Sequence, residues 1–245
     1  MHLAAFTLLL AAVAVADPSS VVTLRKTRPS EEPSLPDRCN PDPCKGITFQ
    51  NETAVCGDPR LGPIKLPKYF PLSTELQTYA RFGDLCPYEF LAKWSTSVSD
   101  PDASYIYPYD NGFANDTAEV PIYGNVTLVV GQRLDRFGSE RGNFLSPLGA
   151  PYIERALPPW NLFAPENSSF PYNYHVYEVI QEFDVLLGPI TPWFQQPGYG
   201  TQFMVKTNVS DLVDNEFLRA LELKEYDDAE DFAANYLPPP PHPSS

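Results

Sequence analysis

The chain has 245 residues, and 17 Lys and Arg stand against 31 Asp and Glu, a formal net charge of −14. So anionic a chain offers few cations to displace counterions, which argues against nucleic acid as a partner. A 43% hydrophobic content with 15 Phe, 14 Tyr and 3 Trp excludes a disordered composition and suffices for one sizeable core, or a core with a small satellite domain.

Residues 1–16 read as a signal peptide. The apolar run 3–16 ends in Ala14-Val15-Ala16, an A-x-A cleavage site before Asp17. Its n-region is weak, but a buried helix would need a polar face that the run lacks. No later stretch approaches the ~20 apolar residues of a transmembrane segment. A secreted, extracellular or cell-surface protein is expected. Residues 17–37, polar and carrying Arg25-Lys26-Thr27-Arg28, read as a flexible leader.

Secretion changes the reading of Cys39, Cys44, Cys56 and Cys86. Four cysteines in an oxidising compartment make two disulfides in one of three pairings, which the sequence leaves open. Cys44–Cys56 with Cys39–Cys86 is preferred, closing a short loop and tying the entry segment to a helix. Zinc is disfavoured by the spacing and by the lack of a His among them. Asn51, Asn115, Asn125, Asn167 and Asn208 each open an N-x-[ST] sequon, as expected of a glycosylated eukaryotic product.

Residues 38–100 carry the helical signals and read as a small disulfide-stapled helical subdomain. Ser73 is positioned to cap a helix over Glu75–Arg81. Asp84 or Leu85 leads into a second helix with Pro87 in its first turn and Phe90, Leu91 and Trp94 on one face. Residues 101–207 change character. Turn dipeptides such as Asn111-Gly112, Gly188-Pro189 and Pro197-Gly198 separate strand candidates at Val126–Val130, Tyr174–Ile180, Phe183–Leu187 and Thr201–Val205. Both faces of Tyr174–Val179 bear apolar groups, so both are expected to be covered. The fold class that follows is α+β: a compact antiparallel β-rich core with short helices, plus the stapled subdomain.

Residues 208–233 form an acidic extension in which Phe217, Leu218 and Leu221 suggest one short helix, and 234–245 is a Pro-rich tail. The tail lacks the hydrophobic segment of a GPI signal. Glu225, Asp227 and Asp228 offer hard oxygen ligands suited to Ca2+, although no EF-hand pattern is present and a solvated charge run is the alternative.

P-loop, G-x-G-x-x-G, G-x-S-x-G and H-E-x-x-H motifs are absent. His2, His175 and His242 are the only histidines, so a Ser-His-Asp hydrolase would have to use His175. What stands out is an ordered series of blocks: Leu134-Asp135-Arg136-Phe137-Gly138-Ser139-Glu140, Gly149-Ala150-Pro151-Tyr152, Glu154-Arg155-Ala156-Leu157-Pro158-Pro159, Tyr174-His175-Val176-Tyr177, and Pro192 through Gln202. In this order and spacing they resemble the tuberculosis necrotizing toxin family of NAD glycohydrolases. With the cysteine region and Thr78–Gly83 included, the chain is similar to the secreted, surface-associated members of filamentous fungi.

The resemblance implies hydrolysis of NAD+ or NADP+ to nicotinamide and ADP-ribose or its phosphate, with no redox cofactor, and it suggests a homodimer. It implies catalytic positions at Arg136 and Gln202 and substrate contacts at Phe137, Arg155, His175, Trp193 and Phe194. The residue chemistry is compatible. A guanidinium fork grips phosphate oxygens at any relevant pH, and a carboxamide oxygen beside an oxocarbenium-like ribose brings electron density without formal charge. Alternatives are a surface ion pair of Arg136 with Asp135 or Glu140, an ion pair of Arg155 with Glu154, an edge-strand role for Gln202, and core roles for Trp193 and Phe194. Two other functions compete. One is an ADP-ribosyl cyclase or transferase using Glu140 or Asp135 as an electrostatic carboxylate; the other is a non-enzymatic surface-binding protein.

Overall fold

A computed structural model describes residues 34–222 except 69, 101 and 165–169. The signal segment, the sequon at Asn167, the Ca2+ candidates Glu225, Asp227 and Asp228, and the Pro-rich tail lie outside the described residues.

The N-terminal part contains two short helices, α1 (Leu72–Glu75) and α2 (Pro87–Trp94). Then follow strands β1 (Gly124–Leu128), β2 (Arg133–Phe137), β3 (Phe144–Pro147), β4 (Tyr174–Val179), β5 (Phe183–Pro189) and β6 (Thr201–Met204), helix α3 (Val209–Asp214) and strand β7 (Leu218–Leu221). The seven strands form one antiparallel sheet in the order β1-β5-β6-β3-β2-β4-β7.

Both disulfides follow the preferred pairing. Cys39 joins Cys86 and Cys44 joins Cys56. Cys86 is the N-cap residue of α2, and its N–H donates to the Glu89 carboxylate at 2.9 Å, half of a capping box. Phe90 and Leu91 are fully buried on the expected face.

Directly opposed residues of an antiparallel ladder share a face, so the β2–β4 register sorts the core. Leu134 opposes Tyr177, and these two with Val179, Leu145 and Phe203 form an apolar layer closed by Val209 and Leu212 of α3. Phe137 opposes Tyr174, and with Val176 they pack on the opposite face against Leu72, Leu76, Tyr79, Tyr152 and Leu162. A third cluster joins Leu61, Phe82, Phe90 and Leu91 to Tyr105 and Phe194. The stapled N-terminal segment is therefore a layer on the sheet, sharing its core.

Three expectations change. The first helix ends at Glu75 instead of running to Arg81, because Leu76 and Tyr79 turn inward to the sheet. Phe217, Leu218 and Leu221 anchor no helix: Glu216 adopts a left-handed turn, and Leu218–Leu221 pairs with β4 as a strand. The short helix of this stretch lies earlier, capped by the Asn208 side chain on the Asp211 N–H at 2.8 Å. The sheet thus takes in the first part of the acidic extension. β2 and β3 escaped the strand candidates because charged Asp135 and Arg136 interrupt one and Pro147 ends the other.

Cys39–Cys86 spans 47 residues and Cys44–Cys56 spans 12. Chain-entropy arithmetic predicts that replacing the first pair by serines costs about 4 kcal/mol and the second about 3 kcal/mol, as read by denaturant unfolding.

Candidate active site

The β2–β3 ladder has only two rungs, Leu134↔Pro147 and Asp135↔Ser146. Beyond them the strands part, and a cleft of about 470 Å³ opens there, within the range of small-molecule sites. The 107–112 loop, the 142–146 stretch, the segment 155–161, and Ile190, Thr191, Phe194 and Gln202 surround the opening.

Arg136 occupies the gap. Its Nε donates to the Ser139 carbonyl at 2.8 Å and its Nη1 to the Phe144 carbonyl at 2.7 Å. The guanidinium thereby bridges two strands that no longer bond each other. Its Nη2 makes no hydrogen bond to the described residues, so its donors remain for a ligand. Burial presses the group below its ordinary value, opposed by Tyr177, Glu140 and Tyr107, but a guanidinium stays charged. The alternative of a surface ion pair with Asp135 or Glu140 is not formed.

Gln202 is buried on β6, and its Nε2 donates to the Asn111 carbonyl at 2.9 Å. That bond fixes the carboxamide plane and turns Oε1 toward Gly112. Asp110 and Asn111 both have φ above +50°, a left-handed turn that brings the accepting carbonyl inward.

Below the cleft lies a buried charge cluster. Arg155, 4% exposed, donates through Nη1 to Asp135 Oδ1 at 2.5 Å and through Nη2 to Asp135 Oδ2 at 2.9 Å. Nη2 also reaches Glu75 Oε2 at 3.3 Å, and Nε and Nη2 donate to the Ala150 carbonyl. Burial works against this charge, but the Asp135 carboxylate, by its charge and its hydrogen bonds, holds it above its usual value. Arg155 lines the cleft, but its donors are turned to the protein. Its ion pair is with Asp135, with Glu75 Oε2 a further acceptor, and not with Glu154. Phe137 is the apolar floor, with the Arg155 guanidinium 5.0 Å from its ring centroid.

The remaining residues expected from sequence divide. Phe194 lines the cleft, edge-on to Trp94, Tyr105 and Tyr107, with φ +48° in a tight turn where Trp193 bridges Gln196. Gln196 ties that turn to the N-terminal layer through the Ala80 carbonyl at 2.9 Å. Trp193 does not reach the cleft: its indole donates to the Ile106 carbonyl and packs on Trp94. Nor does His175, which opposes Arg136 across the ladder. Its Nδ1 is 3.8 Å from Glu140 Oε1, and Tyr177 donates to that same oxygen at 2.7 Å. Burial, with Arg136 acting in the same direction, lowers the imidazole below its usual value against the pull of Glu140. A neutral ring at neutral pH results.

Neither carboxylate considered for a transferase or cyclase is free to act in the cleft. Glu140 is not part of its lining. Both oxygens of Asp135 are taken, Oδ2 by Gly149 N–H and the Tyr174 hydroxyl as well as Arg155. Sequence reasoning missed Glu75, Gly142 and Asn161. Asn161 donates to the Phe137 carbonyl at 3.0 Å, steadying the wall beside Arg136. Gly142 lies so close to Arg136 that a Cβ there would overlap Nη2. A glycine six residues after the arginine was the only trace of that contact in the sequence. Among the described residues, no group of three or more His, Cys, Asp or Glu side chains is arranged to hold a metal, and no helix is long and apolar enough to cross a membrane.

Fold and cleft define a disulfide-stapled α+β protein with a small-molecule cleft headed by a pinned guanidinium. The profile of the tuberculosis necrotizing toxin family matches residues 127–221. A conidial surface nicotinamide adenine dinucleotide glycohydrolase of Aspergillus fumigatus is 60% identical over 223 residues, covering 91% of this chain and 93% of that protein. The chain belongs to this family of surface NAD glycohydrolases, with a tuberculosis necrotizing toxin domain at its core. Among solved structures, the tuberculosis necrotizing toxin complexed with its immunity factor is similar at 18% identity and TM-score 0.38, over 86% of this chain and 98% of that one. Rhs1-CT in complex with its cognate immunity protein is similar at 19% identity and TM-score 0.29, over 46% of this chain and 86% of that one.

Gly142→Ala is expected to displace the guanidinium while leaving both core layers intact. Ligand-dependent activity should fall at least about tenfold, with melting temperature shifted by only a few degrees. Parallel kinetics and thermal melts check both halves of the expectation.

Proposed function

We infer that this protein is a secreted NAD+ glycohydrolase, cleaving the nicotinamide–ribose bond to give nicotinamide and ADP-ribose. The observation that carries the mechanism is the pinned guanidinium of Arg136, its Nη2 left for a ligand where β2 and β3 part. The 60% identity to the Aspergillus glycohydrolase supports the activity and the surface or extracellular location.

The chemistry follows from the leaving group. Nicotinamide departs from a pyridinium cation as a neutral molecule and takes no proton, whereas an ordinary glycoside needs a carboxylate pair. The cleft lining contains a single acid, Asp135, and it is neutralised by Arg155. Arg136 holds pyrophosphate oxygens and fixes the dinucleotide along the cleft. Gln202 presents its carboxamide oxygen to the ribose or to the attacking water. Phe137 and Phe194 wall the site, shielding the departing ring. Arg155 acts through Asp135 on the cleft floor, while His175 and Trp193 support Arg136 and the Phe194 turn from outside the cleft.

The same proposal extends to NADP+ as a substrate, to a homodimer, to glycans and to Ca2+. Exposed Ile122, Tyr123 and Val126 on and beside edge strand β1 support self-association. Asn115 and Asn125 are exposed, and Asn51 and Asn208 use only Oδ1 in their turns, which leaves Nδ2 for a glycan. The density of acids around Glu225, Asp227 and Asp228 supports a Ca2+ site in the extension.

With etheno-NAD as fluorescent substrate, Arg136→Ala and Gln202→Ala are each expected to lower kcat/KM by about 10²–10³-fold, the usual cost of one preorganised charge-stabilising group. Product analysis should show free ADP-ribose without cyclic product or modified acceptor. Undiminished release of nicotinamide by both folded variants would contradict the assignment.

A further inference from the structure

We propose that Glu75 is a protonated, neutral carboxylic acid in the folded protein, and that in this form it positions Arg155 and Asp135 beneath the cleft. For its activity readout the proposal rests on the glycohydrolase reading; for its proton it rests on the geometry and charge balance of the buried cluster.

The Tyr174 hydroxyl lies 2.9 Å from Glu75 Oε1 and 2.8 Å from Asp135 Oδ2. A phenol has one proton and donates once. Two carboxylates cannot both be its acceptors, so one of these short contacts needs a proton on the carboxyl side. Charge count leads to the same result. Glu75, Asp135 and Arg155 are all under 5% exposed, and two carboxylates facing one guanidinium leave a surplus negative charge in a dry site.

The partners identify the carboxyl that holds the proton. Asp135 accepts both Arg155 terminal nitrogens and the Gly149 N–H. Apart from the shared Tyr174 hydroxyl, Glu75 has only Arg155 Nη2 as a donor, at the longer distance of 3.3 Å. With Glu75 protonated the chain is complete: Glu75 Oε1–H donates to the Tyr174 oxygen, Tyr174 donates to Asp135, and Glu75 Oε2 still accepts from Arg155. Burial, then the charge of Asp135, push Glu75 up to about 8 against the opposing effects of Arg155 and Tyr174.

From the elements around it, the groups facing Glu75 are Asp135 of β2, Arg155 after the turn Tyr152–Glu154, and Tyr174 of β4. Tyr79, Tyr152 and the partly buried Tyr172 are the other titratable groups of the surrounding cluster, and the Tyr152 hydroxyl donates to the Pro158 carbonyl. Glu75 comes from α1 in the stapled layer, whereas Asp135 and Tyr174 come from the sheet. A single proton therefore joins the N-terminal layer to the floor of the site. Its loss would place a second uncompensated carboxylate against Asp135 and draw on the donors of Arg155.

The test compares wild type, Glu75→Gln and Glu75→Ala. Glutamine keeps a neutral donor and an acceptor in place. Infrared spectroscopy of wild type at pH 7 should show the carbonyl stretch of a protonated carboxylic acid. The band should be absent from Glu75→Gln and should disappear from wild type with a midpoint of about 8. In the unfolded chain Glu75 ionises near pH 4.3. Its proton thus stabilises the fold fully below that value, and the stabilisation is lost as pH rises toward 8. Wild-type melting temperature should accordingly fall relative to Glu75→Gln across that window.

kcat of wild type should decline above about pH 8. Glu75→Gln should stay within about threefold of wild type at pH 7 and lack that decline, while Glu75→Ala loses activity at every pH. A wild-type spectrum without the acid band at pH 7 would overturn the proposal, as would superimposable melting and kinetic pH profiles for wild type and Glu75→Gln. The band is read on wild-type protein, so the decision does not depend on whether the variants fold or on whether the substrate is NAD+.

Discussion

Where β2 and β3 part company, a guanidinium takes the place of the missing ladder rungs. The Phe144 carbonyl of β3 accepts from Arg136 Nη1, and the Ser139 carbonyl of the loop after β2, which also accepts from Gly142 N–H, accepts from Nε. The strands can stay apart because the side chain holds them, and the opening between them is the cleft. The same bonds fix the charge. Only Nη2 is left over, and a long flexible side chain is thereby reduced to one orientation. A ligand that meets this group does not have to immobilise it, which is the practical meaning of preorganisation.

The rest of the molecule can be understood as support for that opening. One face of the sheet is an apolar layer closed by α3, and the other carries a buried ionic floor under Phe137. A charged cluster in that position contributes less to net stability than well-packed hydrophobic groups would, but removing one member strands the others in a dry site. Its use here is spatial. Arg155 ties β2 to the Ala150 carbonyl, and through Glu75 and Tyr174 it ties the stapled layer to β4. The two disulfides restrict the same layer by covalent means. Turn residues with left-handed backbone, Asn111 on one side and Phe194 on the other, complete the walls.

Much of this was legible in the sequence. Secretion signals implied oxidised cysteines, and the preferred pairing is the observed one. Four strands were readable because β-branched and aromatic runs lay between turn dipeptides. What escaped were elements whose pattern is set by function or by tertiary contact. β2 hides a buried Asp and a bridging Arg inside a strand, so its alternation looks polar. β7 looks helical in isolation and becomes a strand because β4 needs a partner. At the site, Arg136 and Gln202 carried a local motif, and the structure brings both to the cleft. Trp193 and His175 carried the motif equally but sit outside it, because neighbouring in sequence does not fix the direction of a side chain in a tight turn or on the opposite strand. Glu75 carried no sequence signal, since its role depends on a residue 99 positions away.

The central claim is that a single pinned guanidinium grips the phosphates of the ligand. Calorimetric titration of ADP-ribose into wild type and Arg136→Lys tests it most directly, because affinity is read without any bond being cleaved. Lysine keeps the charge but, as a compact point charge, lacks the planar fork that holds two separate carbonyls with two nitrogens and presents the third to the ligand. The account predicts a dissociation constant at least about tenfold weaker for the lysine variant, in a protein that remains folded. Equal affinity in the two proteins would contradict it.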